Sequence, residues 1–522
     1  MVSHFDDDFN VTWIDPRDAE SIWAIDRIHF THPLTPLTED LYREVVASSW
    51  ATPCVFVNGY AYFKDFAPPP TPQEVIERGA SVVWREKYLP LVKEICTQIR
   101  VRDYYSLTAV DIVDLLPSVF KESAEAFSYP TVVAGAFMGP GMALADFCDR
   151  EIGPDGPIMV TTLLQGFAND TIAAGAGLGD LAAFAATKPK VAEALRGRDF
   201  TDLAGLPGGE EFMAKFMSFL ESYGWRAEEW SLAHLPTWIE DPQTPLYLIG
   251  RYLDDPEHSP AEAMRRSVHQ REAMASDIEA RLPDEKRTEF QTLLVAAQPY
   301  VQISEERALW QLIAIGSVRV PVLALGRELV AAGAVKKEDD VFYMSLGELR
   351  QLAAQPRPSF DLVAKRRAEH TRREKLNPPL SIGRQLILSE RPRISQVIHR
   401  FFFGVELEQE EGNVIKGVGA SQGVMTGRAR VIRSLSESNT LEAGEILVCR
   451  NTAPPWTPLF AIAGAVVTDV GGVLSHSAIC AREYAIPCVV GTGVATSRIP
   501  DGAIVTVDGT NGTISLQVAA AD

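Results

Sequence analysis

The stretch GGVLSHSAICARE, residues 471–483, decides how the C-terminal part of this chain folds. It follows AVVTD, residues 465–469, an apolar β-branched run that predicts a buried strand, so the expected order is strand, glycine turn, histidine and helix. A helix start offers free N–H groups and the positive end of the helix dipole, which stabilise phosphate and oppose protonation of the His476 imidazole. We therefore interpret His476 as a nucleophile that carries a phosphoryl group. A polar cap or a surface residue is the alternative that spacing alone leaves open.

A longer run of motifs surrounds this histidine. They are GASQGV at 419–424, GEILV at 444–448, AREYAIPCVVG at 481–491 and VTVDG at 505–509. Together, residues 416–516 resemble the mobile phosphohistidine domain of the phosphoenolpyruvate synthase and pyruvate phosphate dikinase family. Ala485 departs from the family pattern, because relatives usually have glycine there.

The resemblance assigns roles to individual residues of the motif. It implies that His476 is phosphorylated and that Ser475 is its hydroxyl neighbour, which either bonds the phosphate or caps the helix. Gly471 and Gly472 permit close approach of backbone N–H groups to phosphate, although a plain turn accounts for them nearly as well. Arg482 is expected either to contact the phosphate or, from its distance along the helix, to pair with a carboxylate.

The resemblance also implies partners. In the family, an ATP-grasp unit phosphorylates the histidine, the domain swivels, and a second site passes the phosphoryl group to an acceptor. No Gly-rich segment upstream of the histidine resembles the ATP-grasp unit, and no pyruvate-handling barrel follows. We therefore expect a separate ATP-grasp subunit as partner, with ATP and Mg2+ bound mainly by that subunit.

The region before residue 405 is similar, more loosely, to the acceptor-binding region of rifampin phosphotransferase and of phenol-phosphorylating synthases. The shared segments are HPLTPLT at 32–38 and DVFYMSLGEL at 340–349. Further along the chain, NTAPPWTPLF at 451–460 also resembles those enzymes. The layout resembles the histidine-bearing subunit of phenylphosphate synthase and of alkylphenol-phosphorylating synthases. This implies transfer to a small phenol or 4-alkylphenol, with AMP and phosphate as co-products. Two alternatives are an antibiotic-inactivating phosphotransferase subunit and a non-catalytic phosphocarrier or regulatory protein.

An acceptor hydroxyl needs an apolar pocket and a group that takes its proton. His29 and His32 lie close in sequence to Trp23, a composition suited to an aromatic pocket, and either histidine is a candidate base. Arg307 is a candidate for positioning the phosphoryl group. Packing or capping by the histidines, and a surface ion pair of Arg307, are the competing interpretations.

Composition limits the function classes. The 522 residues include 49 basic and 69 acidic side chains, a net charge of −20 that argues against broad nucleic-acid binding. The six cysteines form no C-x-x-C pair, so no metal site or disulfide is predicted. The N-terminus lacks the features of a signal peptide, and no apolar run is long enough to span a bilayer. We expect no membrane association and a cytoplasmic location.

The predicted fold class is multidomain α+β. A mainly helical acceptor-binding domain, residues 1–403, is followed by a glutamate-rich hinge linker, 404–415, and by a swivelling β/β/α phosphohistidine domain, 416–518. Residues 54–63 predict a β-hairpin around an Asn-Gly turn. Residues 284–330 predict helix that Pro299 and Pro321 break or kink.

Overall fold

The computed structural model describes residues 9–13, 15–27, 29–49, 53–64, 71–153, 156–167, 170–254, 260–376, 378–384, 387, 409, 412–473 and 475–517. These residues form two compact units, each built from several stretches of chain. Unit 1 contains the described residues within 1–136, 229–236 and 310–391. Unit 2 contains those within 137–228, 237–309 and 392–522.

Unit 1 contains a four-stranded antiparallel sheet in the order β2-β3-β1-β4. Its strands are β1 (Ile22–Ile25), β2 (Cys54–Val57), β3 (Tyr60–Lys64) and β4 (Ser381–Gly383). The predicted hairpin is confirmed, because β2 pairs with β3 across Asn58 and Gly59, which both have positive φ. The sheet packs its apolar side chains into a core that includes Trp23.

Helices make up most of the rest of unit 1. They are α1 (Pro36–Ser49), α2 (Gln73–Arg78), α3 (Ala80–Val83), α4 (Leu89–Val101), the part of α5 (Ala109–Glu151) up to residue 136, the part of α13 (Pro299–Ser317) from residue 310, α14 (Arg319–Ala331), α15 (Leu346–Ala354) and α16 (Phe360–Glu374). A π-helical turn, Trp84–Tyr88, connects α3 to α4.

The helices of unit 2 come from the middle of the chain. They are the rest of α5, α6 (Gly156–Leu163), α7 (Asp170–Ala186), α8 (Pro189–Arg196), α9 (Gly209–Tyr223), α10 (Gln243–Asp254), α11 (Pro260–Arg281), α12 (Asp284–Ala297) and the start of α13. The predicted proline breaks are confirmed. Pro299 is the first residue of α13 and Pro321 lies in the first turn of α14, positions where a missing N–H costs no helical hydrogen bond.

The C-terminal part of unit 2 is an eight-stranded mixed sheet in the order β5-β12-β11-β7-β8-β9-β10-β6. Its strands are β5 (Val414–Lys416), β6 (Val418–Ser421), β7 (Val424–Val431), β8 (Ile446–Cys449), β9 (Ala465–Thr468), β10 (Cys488–Val490), β11 (Ile504–Asp508) and β12 (Thr513–Leu516). Strands β7 to β10 pair in parallel and the others antiparallel. Three short helices accompany them: α17 (Thr457–Phe460), α18 (His476–Glu483) and α19 (Ala495–Arg498). The predicted α+β class, helical first and β-rich at the C-terminus, is confirmed.

The predicted domain boundaries remain predictions. Strand β5 takes up the last two residues of the predicted linker, while 404–408, 410 and 411 lie outside the described residues. Gln409 is hydrogen-bonded to residues beside the C-terminal sheet. Its side-chain amide donates to the carbonyls of Lys416 and Thr492, at 2.7 and 3.0 Å. The described end of the linker is therefore tied to the C-terminal sheet.

One stretch of the described chain, Glu305–Ala331, is long and apolar enough to cross a membrane by composition. The most apolar 18 residues of this stretch are 83% buried inside the protein. Such burial is typical of a core helix.

Candidate functional site

The predicted strand, turn and helix around His476 are confirmed. Strand β9 ends at Thr468 and α18 begins at His476. Between them Gly471 adopts a φ of +119°, and a Cβ there would lie 2.8 Å from Ser475 Oγ. The N–H of Ser475 donates to the Gly472 carbonyl at 3.0 Å, which closes the turn. The glycines thus let the chain turn tightly onto the start of the helix that presents His476.

Ser475 caps this helix. Its hydroxyl accepts a hydrogen bond from the Ala478 N–H at 3.4 Å, in the manner of an N-cap residue. The sequence left two roles open for Ser475, helix capping and bonding to phosphate, and the described hydrogen bond corresponds to capping. At the other end of α18, Ala485 has a φ of +55°, a conformation that favours glycine, the residue that relatives usually have there.

The two nitrogens of the His476 ring share one neighbour, the Cys480 thiol, which lies 3.8 Å from Nδ1, and differ in the others. Nδ1 lies 3.3 Å from Oε2 of Glu305, a residue of α13 in the same unit. Nε2 lies 3.2 Å from the Thr457 hydroxyl and 3.4 Å from the Cys480 thiol. The edge of Phe460 covers the ring, with centroids 6.5 Å apart. Only 9% of the His476 side chain is exposed, so the ring is largely enclosed.

Two buried titratable side chains, Cys480 and Glu483, lie on the same helix as the ring. Burial, more than any neighbouring charge, raises the pKa of the Cys480 thiol well above its usual value. Burial and then the nearby carboxylate of Glu305 raise the pKa of the Glu483 carboxyl well above its usual value. The Cys480 thiol is therefore protonated near neutral pH. Because Cys480 follows His476 by one helical turn, its S–H group can donate to the ring.

Arg482 fixes the loop rather than the ring. Its guanidinium donates to the carbonyls of Ala420 at 2.6 Å and Val473 at 2.8 Å. These two backbone carbonyls join β6 to the glycine turn through Arg482, and a pair with a carboxylate stays a prediction. Burial lowers the pKa of Arg482 to about 10. Contact with phosphate stays a prediction for this residue.

The acceptor-site candidates His29 and His32 lie in unit 1 beside carboxylates. His29 Nδ1 is 2.8 Å from Asp26 Oδ2, and its ring lies edge-on to Trp230, with centroids 5.2 Å apart. His32 Nε2 is 3.9 Å from Glu229 Oε2, and its side chain is buried. His29 therefore has a carboxylate at hydrogen-bond distance that can orient its ring, whereas the Glu229 carboxylate lies beyond hydrogen-bond distance of His32.

The other two acceptor candidates lie in different surroundings. Trp23 is buried in the four-stranded sheet, where its indole N–H donates to the Asp18 carbonyl at 2.9 Å. This placement is typical of core packing. Arg307 lies on α13 within unit 2, two residues after Glu305. The acceptor roles of all four residues stay predictions.

Sequence reasoning missed three residues that contact the ring. Glu305 lies between a serine and a second glutamate, so no local pattern in the sequence singles it out. Thr457 lies within NTAPPWTPLF, and Cys480 is one helical turn from His476. Among the described residues, no group of three or more His, Cys, Asp or Glu side chains could hold a metal ion.

Comparison with known proteins agrees with this geometry. Residues 441–512 match the family described as PEP-utilising enzyme, mobile domain. The C-terminal domain is therefore a PEP-utilising mobile domain. Residues 128–305 match the fourth domain of rifampicin phosphotransferase, a match that ends at Glu305. The resemblance to this family and to rifampicin phosphotransferase is confirmed.

Three relatives illustrate how far the similarity reaches. A rifampicin phosphotransferase of a Streptomyces species is 31% identical over 67% of this chain and 40% of its own length. The uncharacterised phosphotransferase YvkC of Bacillus subtilis is 31% identical over 59% and 37%. Chondramide synthase cmdD of Chondromyces crocatus is 29% identical over 98% of this chain but 14% of its own length. The chain spans less than half the length of each of these relatives.

Proposed function

We propose that this chain is the phosphohistidine-bearing part of an ATP-dependent phosphotransferase. His476 accepts a phosphoryl group derived from ATP and passes it to the hydroxyl of a small acceptor. One observation supports this most strongly. In a PEP-utilising mobile domain, the imidazole at the start of α18 has one nitrogen facing a carboxylate and the other facing neutral hydrogen-bond donors.

The charging step forms a bond between an imidazole nitrogen and the β-phosphorus of ATP, and it breaks the bond from that phosphorus to the oxygen bridging to the α-phosphorus, so that AMP leaves. Overall, histidine, ATP and water yield phosphohistidine, AMP and phosphate, because water removes the γ-phosphoryl group as phosphate. We propose that a separate ATP-grasp subunit binds ATP and Mg2+ for this step. Its nucleotide must reach a ring that is only 9% exposed and lies against Glu305. We therefore propose that the C-terminal domain moves away from α13 while His476 is phosphorylated. It then returns to α13, where His476 passes the phosphoryl group to the acceptor.

For the acceptor, a small phenol or 4-alkylphenol is the first candidate. Support comes from the resemblance of residues 32–38, 340–349 and 451–460 to phenol-phosphorylating synthases. An antibiotic hydroxyl is the second candidate, and the relatives named rifampicin phosphotransferase favour it. In either case the proposed location is the cytoplasm, where ATP is available.

Radiolabelled ATP tests the proposal. The full chain, mixed with a candidate ATP-grasp subunit and ATP labelled at the β-phosphoryl group, should acquire an acid-labile label that His476→Ala abolishes. The charged protein is then offered phenol, 4-alkylphenols and rifampicin. Absence of label on His476 would refute the carrier role. Stable label with no product from any acceptor would instead support a non-catalytic phosphocarrier.

A further inference from the structure

The contacts of the His476 ring distinguish its two nitrogens. An ionised carboxylate can only accept a hydrogen bond, so the Glu305 oxygen at 3.3 Å calls for a proton on Nδ1. A hydroxyl and a protonated thiol can both donate, and those of Thr457 and Cys480 lie 3.2 and 3.4 Å from Nε2. For a neutral ring, one arrangement satisfies these three contacts: Nδ1 protonated and donating, Nε2 unprotonated and accepting.

Charges near the ring favour the same arrangement. Among the described contacts, the titratable groups that face it are Glu305 from α13 and Cys480 from its own helix, with Glu483 one turn further along and electrostatically coupled to Glu305. Burial raises the pKa of both Cys480 and Glu483 and so opposes a negative charge on either, and the Arg482 guanidinium donates to backbone carbonyls. The negative charge opposite the ring is thus supplied by Glu305. Its buried position makes this interaction stronger than one in water.

We infer that Glu305 is a positioning residue that holds the His476 proton on Nδ1, so that Nε2 bears and releases the phosphoryl group. This inference rests on the proposed function. During discharge the Nε2–P bond breaks and its electron pair stays on Nε2, while the acceptor oxygen forms the new bond to phosphorus. The acceptor's proton passes to water. Because Glu305 keeps a proton on Nδ1, the ring leaves as neutral imidazole rather than as an anion.

Nuclear magnetic resonance of the full chain labelled with 15N-histidine tests the inference without any phosphoryl donor. His476→Ala identifies the ring's signals by their loss. Near neutral pH, wild type should show a protonated Nδ1 and an unprotonated Nε2. Glu305→Gln should lose this preference, because an amide can present either a donor or an acceptor to Nδ1. Glu305→Asp should retain it in part.

Glu306→Gln provides the matched control, since the neighbouring residue points about 100° away around the same helix. It should leave the spectrum of the His476 ring unchanged. A wild-type ring protonated on Nε2, or a Glu305→Gln spectrum equal to wild type, would overturn the inference.

A second measurement uses phosphorylation by potassium phosphoramidate. Phosphorus resonance should place the group on Nε2, and its loss to water should be about tenfold slower or more in Glu305→Gln than in wild type. Equal rates in the two proteins would refute the role of Glu305 while leaving the carrier role intact. Failure to find any phosphoryl group on His476 in the radiolabelled ATP experiment would count against the proposed function instead.

Discussion

Replacing Gly471 by alanine should disturb the turn that presents His476. A φ of +119° is a region that side chains other than glycine rarely adopt, which costs about 1–3 kcal/mol. The added Cβ would lie 2.8 Å from Ser475 Oγ and 3.0 Å from Ser475 Cβ. Displacing this cap costs about 1 kcal/mol more. We therefore expect α18 to lose about 2–4 kcal/mol of local stability.

Gly502→Ala is the matched control in the same domain. Gly502 also has a positive φ, +81°, but a Cβ there would meet nothing within 4 Å. Its cost should be strain alone, about 1 kcal/mol. The comparison between the two variants therefore separates collision with the cap from the general penalty of a positive φ.

Amide hydrogen exchange of peptides covering β9 and α18 measures the effect directly. For Gly471→Ala, exchange should accelerate by about 30-fold to several hundred-fold, since about 1.4 kcal/mol corresponds to a factor of ten. The rate at which phosphoramidate phosphorylates His476 should also change in the same variant. If the Gly471→Ala and Gly502→Ala variants show the same amide exchange rates and the same phosphorylation of His476, then the turn does not require glycine at position 471 and the reasoning fails.

Four further changes test other parts of the structure. Thr457→Val should alter the proton–nitrogen spectrum of the His476 ring, because Nε2 loses its hydroxyl neighbour, whereas Thr457→Ser should preserve it. Burial lowers the pKa of both His234 and His370, so stability should be fully present above about pH 6.5 and fall below it by up to about 1.4 kcal/mol per pH unit for each; urea titrations at a series of pH values measure this, and a flat profile would contradict it. Arg482→Met should destabilise the chain by about 2–4 kcal/mol in urea, as two buried carbonyls lose their donors. Ala485→Gly should instead raise the melting temperature, because it relieves about 1 kcal/mol of strain at a positive φ; an unchanged or lower value would refute that account.

Local signals explain what the sequence could predict. The glycine turn, the capping serine and the helix start at His476 are determined by neighbouring residues, so the strand-turn-helix order follows from the stretch itself. The hairpin at 54–63 and the break at Pro299 are local in the same sense. Each depends on the backbone preferences of one or two residues.

Long-range packing explains what the sequence could not predict. Strand β4 pairs with β1 from the far end of unit 1, and the middle of the chain is divided between two units. Neither arrangement leaves a periodic pattern in any single segment. Arg482 illustrates the same limit, because nothing in its own helix indicates that its partners are the carbonyls of Ala420 and Val473.

The origin of each contact to His476 gives the proposed relay a direction. Thr457 and Cys480 belong to the C-terminal domain, so they accompany the ring wherever that domain moves. Glu305 belongs to α13 and can act on the ring only when the two are in contact. Glu305 therefore keeps the proton on Nδ1 while the phosphoryl group is transferred to the acceptor at α13. It does not contact the ring while His476 is phosphorylated elsewhere. Consequently Glu305→Gln should slow transfer out of phosphohistidine without slowing its formation from ATP, a difference that separate measurement of the two half-reactions can detect.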